Sequence, residues 1–87
     1  MYYVYILHLE LTNKLYTGST SDIKERLKYH LNGKVISTKG KKPVLIHFEV
    51  YKCKSDAQRR ERFLKGTEGK RLLRQQIRDI LRNIGYI

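Results

Sequence analysis

Eighty-seven residues with nineteen Lys and Arg against eight Asp and Glu, a formal net charge of +11, make one small basic domain. The single Cys53 excludes an internal disulfide, no Cys-rich zinc pattern is present, and no apolar run approaches the roughly 20 residues that span a bilayer. Self-repulsion of this size costs stability, so a polyanionic partner is expected, with nucleic acid the best fit.

Residues 2–8, Tyr-Tyr-Val-Tyr-Ile-Leu-His, are aromatic and β-branched and too short for a helix, so they predict a strand. Glu10–Lys14 contains the turn signal Thr-Asn, and Leu15-Tyr16-Thr17-Gly18 resumes β character, which predicts a hairpin. Ser21 or Asp22 can cap a helix over about 22–32, Asp22 with Glu25 in a capping-box pattern, and Asn32-Gly33 is its stop. The Gly- and Lys-rich stretch 33–43 predicts a loop, and Val44–Tyr51 a third strand. Ser55 with Gln58 predicts the cap of a helix running to Lys65, and Gly66 breaks it. Thr67 is the expected cap of one last helix, basic and amphipathic, with Leu72, Leu73, Ile77, Ile80, Leu81 and Ile84 on its apolar side. The expectation is a single α+β domain over 1–87: a three-stranded antiparallel sheet flanked by helices, in the order β-β-α-β-α-α.

Several side chains suit acid-base or phosphate chemistry. Tyr5 and Tyr16 lie in the two hairpin strands, Arg26 and His30 are four apart on one helix face, and Glu61 sits among Arg59, Arg60 and Arg62. Phosphodiester hydrolysis needs a base for water, a cation for the developing charge and help for the leaving oxygen, which these residue types can supply. Bland readings stand beside this one. Tyrosines in a small β-rich domain mostly pack, Arg26 and His30 can be a solvated helix face, and Glu61 can belong to a surface ion-pair network.

The motifs and their order resemble one family. Val4-Tyr5-Ile6, and eleven residues after Tyr5 a Tyr16-Thr17-Gly18, are similar to the GIY-YIG signature in its short stand-alone form. Arg26 and His30 stand where that family's helix carries Arg and His, and Ala57–Lys65 resembles its metal-glutamate helix. Asn32-Gly33-Lys34, the basic Ser37–Pro43 loop and the tail Gly69–Leu73 extend the likeness over nearly the whole chain. The first motif lacks its glycine. Ser19 stands where larger repair-type members, the excision-repair nucleases, have a lysine, and the late asparagine of those members has no equivalent.

The resemblance implies a metal-dependent endonuclease acting on DNA, with single-stranded or branched DNA as candidate substrates and DNA repair as a candidate role. Tyr5 and Tyr16 would be the candidates for general base, with Tyr5 preferred and Tyr16 then positioning water or phosphate. Arg26 would bind the scissile phosphate, His30 would take the proton onward, and Glu61 would be the sole carboxylate on Mg²⁺ or Mn²⁺. Gly18 would allow close backbone approach. Lys34, Lys39, Lys41, Lys42, Arg59 and Arg60 are the expected nucleic-acid contacts. A protein partner stays open, a membrane partner is not expected, and with no leader-like segment the expected residence is cytoplasmic. Two alternatives remain: a catalytically inactive nucleic-acid-binding module, and an RNA- or ribosome-associated basic protein.

Overall fold

Tyr2–Leu9 forms the predicted first strand, β1, and takes the centre of the sheet in the computed structural model, which describes residues 1–87. β2 (Lys14–Thr20) and β3 (Pro43–Tyr51) pair antiparallel on either side of it, giving the order β2-β1-β3. The helices are α1 (Ile23–Leu31), α2 (Lys54–Lys65), α3 (Thr67–Gln76) and α4 (Arg78–Asn83). The fold is the expected α+β arrangement.

A central strand covered on both sides explains why β1 reads as a nearly continuous apolar run instead of an alternating one. Val4 and Ile6 face Ala57 and Leu64 of α2, Leu73 of α3, Ile77 at the junction after it and Leu81 of α4. Tyr5, Leu7 and Leu9 face the other way, onto Ile23 and Leu27 of α1. Each fully buried aliphatic side chain here contributes about 1.5–3 kcal/mol, and with no disulfide these two small clusters hold the domain together. β3 carries a bulge: Ile6 pairs with His47 and Leu7 with Leu45, so Ile46 has no partner on β1.

Local signals act as expected around α1. Asp22 caps it, its Oδ1 accepting from the Glu25 N–H at 3.1 Å. At the other end Gly33 takes φ +70°, the Lys34 N–H donates to the Tyr29 carbonyl and the Gly33 N–H to that of His30, a Schellman stop. The two later caps differ from expectation. Cys53 precedes α2 and makes no side-chain cap bond, which leaves Ser55 inside the first turn. Gly66 ends α2 and starts α3, so Thr67 is the first helical residue instead of the cap. The single last helix is also divided. Ile77 leaves helical geometry (φ −108°, ψ 29°), and the break lets Leu73, Ile77 and Leu81 reach one core from two helix axes.

Candidate active site

Tyr5 and Gly18 are direct partners across β1 and β2, as are Leu7 and Tyr16, so both tyrosines project from the α1 face of the sheet. The Tyr5 ring lies over Gly18 toward the outer edge of β2. A Cβ on Gly18 would stand 2.5 Å from the Tyr5 hydroxyl, so this glycine makes room for the phenol.

α1 brings Arg26 and His30 to the same phenol, as their four-residue spacing requires. Tyr5 Oη is 2.8 Å from His30 Nε2 and accepts from Arg26 Nε at 3.3 Å. His30 Nδ1 is 2.8 Å from Thr38 Oγ1, whose hydroxyl donates to the Val35 carbonyl at 3.4 Å. These donors and acceptors have one consistent assignment. Thr38 spends its proton on Val35, so it accepts from His30 Nδ1–H, and Nε2 is left to accept from Tyr5. The chain of bonds runs from Arg26 through Tyr5 and His30 to Thr38, and no buried side-chain polar atom lacks a partner.

Tyr5, His30 and Thr38 are all buried, and Tyr16 is half-buried with its ring 5.2 Å from that of His30. Burial raises the Tyr5 phenol above its ordinary value, against the pull of the Arg26 hydrogen bond. Burial and then the Arg26 charge lower the His30 imidazole. The pair is therefore neutral at pH 7: a phenol O–H donating to the unprotonated Nε2 of the imidazole.

Glu61 arrives from the opposite face. Leu15, Thr17 and Ser19 alternate on the side of β2 that meets α2, and Ser19 Oγ donates to Glu61 Oε1 at 2.5 Å. Lys65 lies 2.8 Å from Oε2. Burial pushes the carboxyl up, but the hydrogen bonds from Lys65 and Ser19 outweigh it and hold Glu61 below its ordinary value, ionised. Ser19, which holds it, follows Gly18, the cross-strand partner of Tyr5, so Glu61 and Tyr5 lie against neighbouring residues of β2 from opposite faces. No group of three or more His, Cys, Asp or Glu gathers in the molecule. Glu61 is thus a lone hard oxygen donor, half-buried, paired on one side with a mostly exposed lysine that can swing away. That donor set fits a hard divalent ion completing its shell from water and phosphate.

The basic residues divide into free and committed ones. Lys34, Lys39 and Lys42 are exposed on the loop after α1, and Lys41 donates to the Ser37 carbonyl at 3.0 Å. Arg59 is exposed beside Asp56 at 2.8 Å. Arg60, expected to contact nucleic acid, holds Glu49 with two hydrogen bonds of 2.9 and 3.2 Å and stacks on Phe63. Its side chain is partly exposed. Three residues with roles here were not singled out for them by sequence reasoning: Ser19 on Glu61, Thr38 on His30, and Glu49 under Arg60. No helix is long and apolar enough to cross a membrane.

Residues 1–75 match the GIY-YIG catalytic domain. A UPF0213 protein of Clostridium perfringens (strain 13 / Type A) is 43% identical over 67 residues, covering 75% of this chain and 71% of its own. A UPF0213 protein of Staphylococcus haemolyticus is 42% identical over 62 residues, with 69% and 74% covered. Another, from Haloquadratum walsbyi, is 37% identical over 83 residues, with 91% and 92% covered. No solved structure matches the chain.

Proposed function

The chain belongs to the GIY-YIG catalytic domain family, a nuclease family, and from that premise we propose that it is a metal-dependent endonuclease hydrolysing phosphodiester bonds of DNA. The observation that carries this reading is the hydrogen-bonded cluster of Tyr5, Arg26 and His30, with Tyr5 paired to Gly18 of β2 and an ionised Glu61 bonded to the adjacent Ser19. Arg26 and Glu61 are partly exposed while Tyr5 and His30 are buried, so a substrate meets the cation and the carboxylate first.

In the resting arrangement Arg26 covers the Tyr5 oxygen. Its half-exposed guanidinium turns from Tyr5 onto the scissile phosphate when substrate arrives, which stabilises the added negative charge and uncovers the phenol. Tyr5 then takes a proton from the attacking water while passing its own O–H proton to His30 Nε2. His30 becomes the imidazolium, held in its tautomer by Thr38. Tyr16, beside them and partly exposed, orients the water. Glu61 would hold Mg²⁺ or Mn²⁺, which supplies charge neutralisation at the phosphate and the leaving 3′-oxygen. The products are a 5′-phosphate and a 3′-hydroxyl. Lys34, Lys39 and Lys42 carry flanking phosphates, and Arg59 can join them by leaving Asp56.

The test is cleavage of labelled single-stranded, duplex and branched DNA with Mg²⁺ or Mn²⁺. Glu61→Ala should abolish metal-dependent cutting and keep binding, and Arg26→Ala should slow cutting by about 10²–10³-fold. Cutting that survives in Glu61→Ala removes this site from the reaction. DNA binding by the wild type without any cutting leaves a nucleic-acid-binding module.

A further inference from the structure

We infer that a hollow between β2 and α3 receives one unpaired nucleotide of the substrate strand, beside the phosphate being cut. The inference rests on the endonuclease reading and adds a substrate class to it. The hollow has a volume of 240 Å³, and Lys14, Lys70 and Arg74 line it with no acidic side chain among its walls. None of these three cations takes part in an ion pair, whereas Arg59, Arg60, Lys65 and Arg71 all do. Three uncompensated positive charges around one concavity make a site for a phosphate.

A phosphate alone would not need the rest of the wall. Leu15, Leu64 and the Tyr86 ring also line it. Gly85 takes φ +75° and turns the chain so that the Tyr86 N–H reaches the Leu81 carbonyl at 2.9 Å, and His8 meets the tyrosine ring edge-on at 6.2 Å. An aromatic ring and aliphatic walls beside a cluster of cations match a nucleotide, a base with its phosphate. A base inside a duplex is stacked and paired, so only an unpaired one enters without the cost of flipping.

Position ties the hollow to the reaction. Thr17 lines it, and Ser19, which holds Glu61, is the next residue of β2 on the same face, about 7 Å along the strand. A strand lying along the β2 edge passes from one to the other.

The experiment measures binding of a short oligothymidylate, an abasic strand of the same length and a duplex of that length, in EDTA over a range of salt. Wild type should bind the oligothymidylate tightest, and removing the bases should weaken it by about tenfold. Lys70→Gln with Arg74→Gln should lower the slope of log affinity against log salt by roughly 0.7 for each phosphate that the variant no longer neutralises. Tyr86→Leu, checked for an unchanged unfolding midpoint, should bind the thymidylate and abasic strands alike. Equal wild-type affinity for those two strands overturns the inference, and so does an unchanged salt slope in the double variant. Because these readouts need no cleavage, the two proposals fail separately. The full binding pattern without Mg²⁺-dependent cutting sinks the endonuclease and supports the hollow. Wild-type cutting by the double variant at sub-saturating single strand sinks the hollow alone.

Discussion

The Tyr5 ring occupies the space that a side chain on Gly18 would fill: a Cβ there would lie 2.5 Å from the hydroxyl and 2.6 Å from Cζ. Gly18 has no positive φ, so the demand for glycine comes from its cross-strand partner and not from its own backbone. The last letter of the Tyr16-Thr17-Gly18 motif is thereby set by the middle letter of Val4-Tyr5-Ile6.

Gly18→Ala should therefore act through Tyr5. The added methyl meets a buried ring that Arg26 and His30 hold from the other side, and overpacking of this kind costs about 1–3 kcal/mol. Displacing the phenol by a fraction of an ångström to an ångström should lower cleavage by about 10²-fold. Rate constants and unfolding midpoints of the variant check this, and a fully active, equally stable Gly18→Ala protein would contradict it.

Thr38 should behave as a positioning residue for His30. Thr38→Val keeps the shape but leaves the buried Nδ1–H without an acceptor, a loss of about 1–3 kcal/mol. Thr38→Ser restores the hydroxyl and should restore both stability and the pH profile of cleavage. A merely structural role would show the stability change while the profile stayed put.

Acid should weaken the fold in two stages. Burial and then the Arg26 charge hold the His30 pKa down, so the unfolded chain takes up that proton from about pH 6.5 downward while the folded protein resists it. Stability is lost as pH falls from there toward the folded value, and cleavage falls with it, since imidazolium cannot accept from Tyr5. Glu49 supplies the second stage. Burial pushes its carboxyl up, but hydrogen bonds from Arg60, His47 and Tyr51 outweigh that and hold it down. Its contribution is whole above the ordinary value of about 4.3 and is lost as pH falls through the lower folded pKa. Glu61 adds to the same stage. Unfolding midpoints against pH should show both stages, with Glu49→Gln shrinking the lower one only.

Gly69→Ala should destabilise despite the better helix former. A Cβ at Gly69 would come 1.8 Å from the Phe63 carbonyl oxygen and 2.9 Å from Leu64 Cα, backbone that cannot swing aside. The gain in helix propensity is about 1 kcal/mol, and separating α2 from α3 costs about 1–3 kcal/mol or more. A fall of several degrees in the unfolding midpoint is expected, with metal-dependent cutting retained below the transition.

The legible parts of the molecule were those set by local chemistry. Periodicity and caps gave β1, the hairpin and α1 with its Asp22 start and Gly33 stop, because each depends on residues within one or two turns of each other. The four-residue spacing of Arg26 and His30 implied a shared face before any partner was known. What could not be read was set by tertiary contact. Thr38 looks like any threonine in a polar loop until the chain folds back onto His30. Ser19 stood out only as the place where a lysine was missing, and its link to Glu61 crosses 42 residues. Arg60 sat in an arginine-rich run, and only the packing of α2 on β3 shows that Glu49 claims it. Ile77 fits a helical pattern as well as its neighbours do, so a break that serves core packing leaves no mark in the spacing.

The central place of β1 also governs the order in which this protein can come into being. The first strand to be synthesised is the one that needs both later strands beside it and a different set of helices on each face. A nascent chain released only as far as Tyr51 would hold Tyr5, Tyr16, Arg26 and His30, yet Val4 and Ile6 would lie bare, since α2–α4 that cover them come later. Pairings so distant along the chain form late and expose sticky intermediates meanwhile. Because Glu61 arrives on the same helix that closes this second face, the unfinished polypeptide is aggregation-prone and still lacks the carboxylate proposed to hold the metal. Completion of the core and completion of the candidate site become one event.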